Sequence, residues 1–255
     1  MPDFSLMHWY VAMAGPWTEA AAKEFHEGGY DGLVLLPDET WQPADLRFLH
    51  ELAGLRSFDL TWPVTDDVAA FQLPRLESLT LATHSDRPVP PVEQLRLRSA
   101  LLSDRSGICV GRLWPNLTAL RVIDWRGTDL GMLAGARAVT QLHLRGNGQS
   151  GNLDGLQHCS HLERLVTINY SLAGSAPLRG LTGLREIRLL AAAPTEPHRV
   201  IDLADVIGPS LTTLWIANAA RLENLDALID SAVSELHLID CELSPAEREM
   251  LSLVS

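Results

Sequence analysis

Eight side chains in this sequence could do chemistry as a group: Arg96, Arg98, Arg121, His143, Arg145, Arg188, Trp215 and His237. Their types suit recognition rather than bond-making. A guanidinium presents a planar fork of donors that matches a carboxylate or a phosphate, and Trp and Arg are the types that dominate protein-binding hot spots. They fall on two interleaved series. One reads Val34, Asp59, Thr80, Arg96, Arg121, His143, Val166, Arg188, Trp215 and His237. The other, two residues later, reads Leu36, Thr61, Ala82, Arg98, Ile123, Arg145, Ile168, Leu190, Ala217 and Ile239. Only one acid, Asp59, stands among them, although acids outnumber bases 32 to 20 in the whole chain. The plainer reading is that Arg and Thr are common on exposed strands. The functional reading is a basic, aromatic-bearing strip with Trp62, Trp125 and Tyr170 at its rim or packed beside it.

Catalytic spacing is missing. There is no C-x-x-C, H-E-x-x-H, G-x-S-x-G or P-loop pattern, and no G-x-G-x-x-G opening a helix. Gly146-Asn147-Gly148 sits after a strand pattern, where glycine is expected in a turn. His143, His198 and His237 have no carboxylate or thiol at ligand spacing, so neither a metal nor a cofactor is expected. An enzyme would have to hide in the irregular segments 84–114 or 191–210 and draw on His84, Asp86, Asp104 and Cys109, whose spacing follows no catalytic logic. The expectation is a protein that binds and does not catalyse.

What would position the strip is a repeat. Val139 to Asn147 reads V-T-Q-L-H-L-R-G-N, with apolar residues at 139, 142 and 144. In a short strand Leu142 and Leu144 face inward while Gln141, His143 and Arg145 face out. An Asn after the strand can bond the backbone of neighbouring coils. The same unit recurs at Leu55-Phe58-Leu60, Leu76-Leu79-Leu81, Val92-Leu95-Leu97 and Leu117-Leu120-Val122. It continues at Leu162-Leu165-Thr167, Leu184-Ile187-Leu189, Leu211-Leu214-Ile216 and Val233-Leu236-Leu238. The first inward positions are therefore 58, 79, 95, 120, 142, 165, 187, 214 and 236, an average step near 22. Between strands a three-residue apolar beat appears, as at Leu178, Leu181 and Leu184 and at Leu222, Leu225 and Leu228.

This pattern resembles the leucine-rich repeat family, specifically its short, 22-residue internalin-like subclass, over roughly residues 30–243. The resemblance implies an α/β fold: a right-handed, curved solenoid with a parallel β-sheet on its concave face and short helices or 3₁₀ turns on its convex face. It is specific for fold and does not name a partner. Departures are visible. The Asn position is filled at Asn147 and, less regularly, at Asn169 and Asn218, with Cys241 there in the last unit. One step of 16 residues contains Arg87-Pro88-Val89-Pro90-Pro91, which must be extended, and longer steps call for bulges near Ser103–Gly111 and Ala191–Val200.

The ends read as caps, which solenoids need to cover their outermost coils. Residues 1–29 give an edge strand over Leu6–Met13, with Trp9 and Val11 on one face, and a helix from Thr18 ended by Gly28-Gly29. Residues 30–243 form about ten coils. Residues 244–255 form a last helix opened by the capping box Ser244-Pro245-Ala246-Glu247, with Met250, Leu251 and Leu253 laid over the final coil.

Composition bounds the partner. A net charge of −12 disfavours nucleic acid and anionic membrane. No apolar run reaches the length of a membrane span, and no secretory signal is visible at the N-terminus. Three scattered cysteines, Cys109, Cys159 and Cys241, fit reduced thiols, buried at 159 and 241, in a cytoplasmic protein. A chain that is rich in Arg and Ala, with Lys23 its single lysine, points to a high-GC bacterium. The expectation is a monomeric protein-binding module of that setting. Its expected partner is a protein, with a toxin that it neutralises as an immunity protein the sharper form of that expectation.

Overall fold

A computed structural model describes residues 9–191 and 197–251. Leu6 to His8 of the expected first strand, Leu253 of the last helix and part of the 191–210 segment lie outside the described residues. The chain divides into two units, Met1–Ile108 with Leu113–Leu117 and Cys109–Arg112 with Thr118–Ser255.

In the first unit, β1 (Tyr10–Met13) leads into α1 (Glu19–Glu27), followed by β2 (Gly32–Leu35), β3 (Ser57–Leu60), β4 (Ser78–Leu81) and β5 (Ser99–Ser103). Thr18 caps α1 as its spacing requires, its hydroxyl accepting from the Ala21 N–H at 3.2 Å. Each strand pairs in parallel with the next, so that Leu33, Phe58, Leu79 and Ala100 stand in one row and Leu35, Leu60, Leu81 and Leu102 in another. Both rows are buried.

Ala100 and Leu102 correct the sequence reading of this coil. The inward pair was expected at Leu95 and Leu97, but β5 begins at Ser99, Leu95 is exposed, and Leu97 takes the turn position that Leu76 holds one coil earlier. The inward series becomes 58, 79, 100 and 120, so the 16-residue step and the bulge near Ser103–Gly111 both vanish. Arg96 and Arg98 accordingly precede the strand rather than lie on it.

The three-residue apolar beat has a direct backbone counterpart. The N–H groups of Leu49, Leu52 and Leu55 donate to the carbonyls of Leu46, Leu49 and Leu52 at 2.9–3.0 Å. A bond from i to i−3 makes three residues per turn, so every third side chain points the same way and all four leucines are buried. The convex-side segment of this coil, where the spacing of Pro43, Asp45, Leu46, Phe48 and Leu49 reads as a helix, is thus a 3₁₀ turn, Arg47–Glu51.

This unit also buries an ion pair. Arg105 Nη1 donates to both carboxylate oxygens of Asp67, at 2.9 and 2.7 Å, and Nη2 donates to Thr83 Oγ1 at 2.9 Å. The two charged side chains are 1% and 0% exposed.

The second unit follows a one-turn helix α2 (Val110–Leu113), with long strands β6 (Ala119–Trp125) and β7 (Gln141–Gly146) and the short β8 (Ser150–Gly151). It continues through β9 (Arg164–Ile168), β10 (Ser171–Leu172), β11 (Glu186–Leu190), β12 (Ile201–Asp202), α3 (Leu203–Val206), β13 (Thr213–Ala217), β14 (Leu222–Glu223), β15 (Glu235–Ile239) and α4 (Pro245–Leu251). The long strands pair in parallel in the order β6-β7-β9-β11-β13-β15, and β8–β10 and β12–β14 form two smaller parallel pairs. The 27-residue step from Ile187 to Leu214 accommodates β12 and α3. The runs Leu130-Leu133-Ala136 and Leu153-Leu156-Cys159-Leu162 repeat the 3₁₀ beat. Cys159 is buried within it, and burial pushes its thiol up to about 12. Cys241 is only half-buried, which corrects the expectation for it.

Four of these six long strands, β6, β9, β13 and β15, carry a left-handed residue two places after the second inward side chain: Asp124, Asn169, Asn218 and Asp240, with φ between 51° and 61°. Asn and Asp tolerate that conformation because their short polar side chains bond locally. Asn218 Nδ2 donates to the Ala191 carbonyl of the preceding coil at 3.4 Å. Asn147, the residue first read as the repeat asparagine, lies one place further on and is exposed, and in the last coil Asp240 rather than Cys241 fills the position. At the end, Ser244 and Glu247 close the expected capping box at 2.6 and 3.3 Å.

Among the described residues, the five strands of the first unit and the six long strands of the second alternate with short helices and 3₁₀ turns, which is the α/β architecture read from the repeat. Among the described residues no helix is long and apolar enough to cross a membrane.

Candidate sheet-face binding site

The site is assembled by register. Parallel pairing places Arg121 beside His143, His143 beside Val166, Val166 beside Arg188, Arg188 beside Trp215, and Trp215 beside His237, on the face opposite the leucine core. Two residues along each strand, a second column reads Ile123, Arg145, Ile168, Leu190, Ala217 and Ile239. Six of the eight expected residues therefore share one sheet face: Arg121, His143, Arg145, Arg188, Trp215 and His237. Arg96 and Arg98 do not join a strand column. They are exposed in the turn before β5, where an Arg98 guanidinium nitrogen donates to the Asn116 carbonyl at 3.3 Å.

A third column went unread in the sequence. One residue before the first inward side chain stand Gln141, Arg164, Glu186, Thr213 and Glu235. The signal was available, because the period of two extends one step towards the N-terminus of each strand. These residues supply the pairing that orders the face. Glu186 bridges Arg164 at 3.0 Å and Arg188 at 2.6 Å. The Arg188 guanidinium lies over the Trp215 ring, 4.6 Å from its centroid. Trp215 stacks against His237 with centroids 4.0 Å apart and donates from its indole nitrogen to Glu235 at 3.3 Å. His237 Nε2 meets the same carboxylate at 3.3 Å.

At the other end of the face the charges are not matched. Arg121 and Arg145 are exposed and form no ion pair among the described residues. Ala119 and Val166 are short beside their neighbours, and they leave a hollow of about 210 Å³ flanked by Arg121, His143, Arg164 and Arg188. Burial, and then the charges of Arg121, Arg164 and Arg145, push the His143 imidazole down to about 4, so at neutral pH the ring is uncharged. Leu190 and Ile168 complete the hollow with apolar surface.

The residues considered for catalysis are placed otherwise. In the first unit His84 and Asp86 are exposed and Asp104 is half-exposed, while Cys109, in the second, is half-buried. His84 takes a left-handed turn conformation with φ 51°, and its N–H donates to Ser103 Oγ at 3.2 Å. His198 is fully buried, with Nδ1 accepting from the Leu172 N–H at 2.9 Å, which is a packing role. Among the described residues no three His, Cys, Asp or Glu side chains group as metal ligands would.

No protein-family model and no curated protein matches the chain. Solved structures do. An internalin from Listeria monocytogenes aligns over 94% of this chain and 69% of its own, with a TM-score of 0.69 and 16% identity. A chain of the Toll–Spatzle complex of Drosophila aligns over 92% of this chain and 40% of its own, with a TM-score of 0.56 and 14% identity. At such identities the likeness is one of backbone architecture. With that likeness, the 22-residue inward series and the 3₁₀ beat between parallel strands, the chain has the leucine-rich repeat fold.

Proposed function

We propose that this chain is a non-enzymatic binding module that grips one protein partner on the sheet face of its second unit. The observation that supports the reading most is the Arg188–Trp215–His237 stack, an indole held between a guanidinium and an imidazole on an open face. A solvated Trp fixed by neighbours loses little conformational freedom on binding, which is what makes such a residue a good anchor. One of the two solved neighbours is itself seen in a protein complex, Toll with Spatzle. Unpaired cysteines among the described residues support placing the module in the cytoplasm, where we take it to act as a monomer.

A second reading makes the partner a bacterial toxin that the chain, as its immunity protein, binds through the acidic surface outside the sheet face. It is favoured by charge: bases concentrate on one face of a chain whose net charge is −12, leaving an acidic surplus elsewhere that suits a basic toxin. Co-expression with the candidate toxin should restore growth.

The first reading is tested by photo-crosslinking in the native cell. A photoreactive amino acid replaces Arg145 or Ile239 on the sheet face, or Gln157 or Asp226 on the 3₁₀ turns. Adducts with one protein from the first pair and none from the second are expected. Adducts from the turn positions alone would overturn the reading.

A further inference from the structure

We propose that the hollow between Arg121, His143, Arg164 and Arg188 is an acceptor for one carboxylate side chain, aspartate or glutamate, flanked by apolar residues in the partner. The proposal deepens the function given above and rests on it for the identity of the ligand as part of a protein.

Size comes first. At about 210 Å³ the hollow is smaller than the ~300 Å³ lower bound of small-molecule pockets, and it has room for one side chain. It exists because Val166 is short between His143 and Arg188 on the adjacent strands, so its floor is fixed by sheet register rather than by a mobile loop.

Charge comes next. Four guanidiniums, those of Arg121, Arg145, Arg164 and Arg188, stand at or beside the hollow, and among the described residues Glu186 is the one carboxylate that ion-pairs with any of them, shared by Arg164 and Arg188. Each Arg carries five N–H donors. The ion pairs with Glu186 therefore leave donors free on both, and Arg121 forms no ion pair among the described residues. A carboxylate entering here meets charge-assisted donors on a partly desolvated surface, where such bonds are strongest.

The surroundings decide which anion. Ile168 and Leu190 line the hollow, and Ile123 and Ile239 extend the apolar column, with Ile239 44% exposed. A peptide with apolar residues around one acid covers this surface. A polyanion such as nucleic acid would instead meet the acidic remainder of the chain.

His143 provides the readout. Its neutral ring faces Arg121 from β6, Arg145 from its own strand and Arg164 from β9, and its Nε2 atom has no hydrogen-bond partner. A bound carboxylate offsets those cations, so the ring should take up its proton at a pH about one unit higher than in the free protein.

The experiment titrates the purified chain with the blocked peptide acetyl-Gly-Ile-Glu-Ile-Gly-amide and follows the His143 imidazole by NMR. Its counterparts carry glutamine or phosphoserine in place of glutamate, and a single-stranded hexanucleotide serves as the polyanion. Expected is a saturable shift with the glutamate peptide, at least tenfold weaker binding of the glutamine peptide, and a raised His143 pKa. Arg121→Gln should weaken the glutamate peptide about tenfold, whereas Arg137→Gln, an exposed turn position, should not. Equal binding of the glutamate and glutamine peptides overturns the proposal, as does equal loss in the two variants. Tenfold tighter binding of the phosphoserine peptide or the oligonucleotide also overturns it, in favour of a phosphate site. No partner is needed, so the two readings fail separately. Crosslinking from the sheet face with a silent hollow removes only the hollow. A responsive hollow with crosslinks from the turns alone removes the wider reading.

Discussion

The guanidinium of Arg188 lies 4.6 Å from the centre of the Trp215 ring while its Nε ion-pairs with Glu186 at 2.6 Å. The two contacts hold the cation in place, and the cation in turn covers one part of the indole. His237 stacks at 4.0 Å and Glu235 accepts the indole N–H, so the ring is held from several directions on a face open to solvent. A cation over an indole contributes about 0.5–1 kcal/mol at an exposed site. That is too little to explain the arrangement as a device for folding, and enough to fix one rotamer for binding.

Trp215→Ala should therefore weaken binding of the protein partner about thirtyfold, a change of about 2 kcal/mol, as truncation of a hot-spot aromatic does. Calorimetric titration of the partner into the two proteins measures it, with thermal melts run alongside. An unchanged affinity would place the binding surface elsewhere on the chain.

Asp67→Asn should be a folding variant rather than a binding variant. Arg105 would be left buried with its charge uncompensated, which destabilises by about 3–5 kcal/mol. Replacing both members, as Asp67→Leu with Arg105→Met, should recover most of that loss, because two apolar side chains of similar volume carry no desolvation cost. Urea unfolding of the wild-type, single-variant and double-variant proteins at one pH decides the matter. A double variant no more stable than Asp67→Asn would mean that packing around Phe71, over which Arg105 also lies at 5.6 Å, outweighs the charge.

The fold was legible because its signal is local. Leu178, Leu181 and Leu184 announce their 3₁₀ bonds by spacing alone, and alternation at Leu142 and Leu144 announces β7. The coil at β5 misled for a physical reason. Ala100 is too small to register as a core residue, while Leu95 and Leu97 two places apart imitate a strand. Counting 21 residues from Leu79 would have found Ala100. The Asp67–Arg105 pair could not be read, since 38 residues separate its members and nothing local marks either as buried. At the candidate face, the column of Arg121, His143, Arg188, Trp215 and His237 followed from the period. Glu186 and Glu235, which order it, were missed because they precede the consensus leucines.

Gly111→Ala should destabilise the second unit by about 1–3 kcal/mol, the usual cost of overpacking a closed site. A Cβ at position 111 would fall on the Ala134 carbonyl and the Gly135 backbone, and backbone atoms cannot rotate aside as a side chain would. Gly54→Ala, where a Cβ meets nothing, is the matched control and should unfold at the wild-type denaturant concentration. Equal midpoints for the two variants would show that the coil carrying Gly135 moves freely.

His198 should make the protein less stable as pH falls from 6.5 towards 4. Burial pushes its imidazole down from 6.5 to about 4, so in that interval the unfolded chain holds a proton that the folded chain does not. A folded-state pKa below the unfolded value means that stability is fully present above 6.5 and is lost on acidification. The slope is about 1.4 kcal/mol per pH unit for one proton, which amounts to about 2 kcal/mol between pH 6.5 and 5. His143 is shifted in the same sense, so the wild-type curve contains both groups. Comparison with His198→Gln isolates one of them. The variant lacks the Leu172–His198 bond as it stands and begins less stable at pH 7, but its stability should fall less steeply between pH 6.5 and 5. Parallel curves for the two proteins would mean that His198 takes up its proton without unfolding the coil around it.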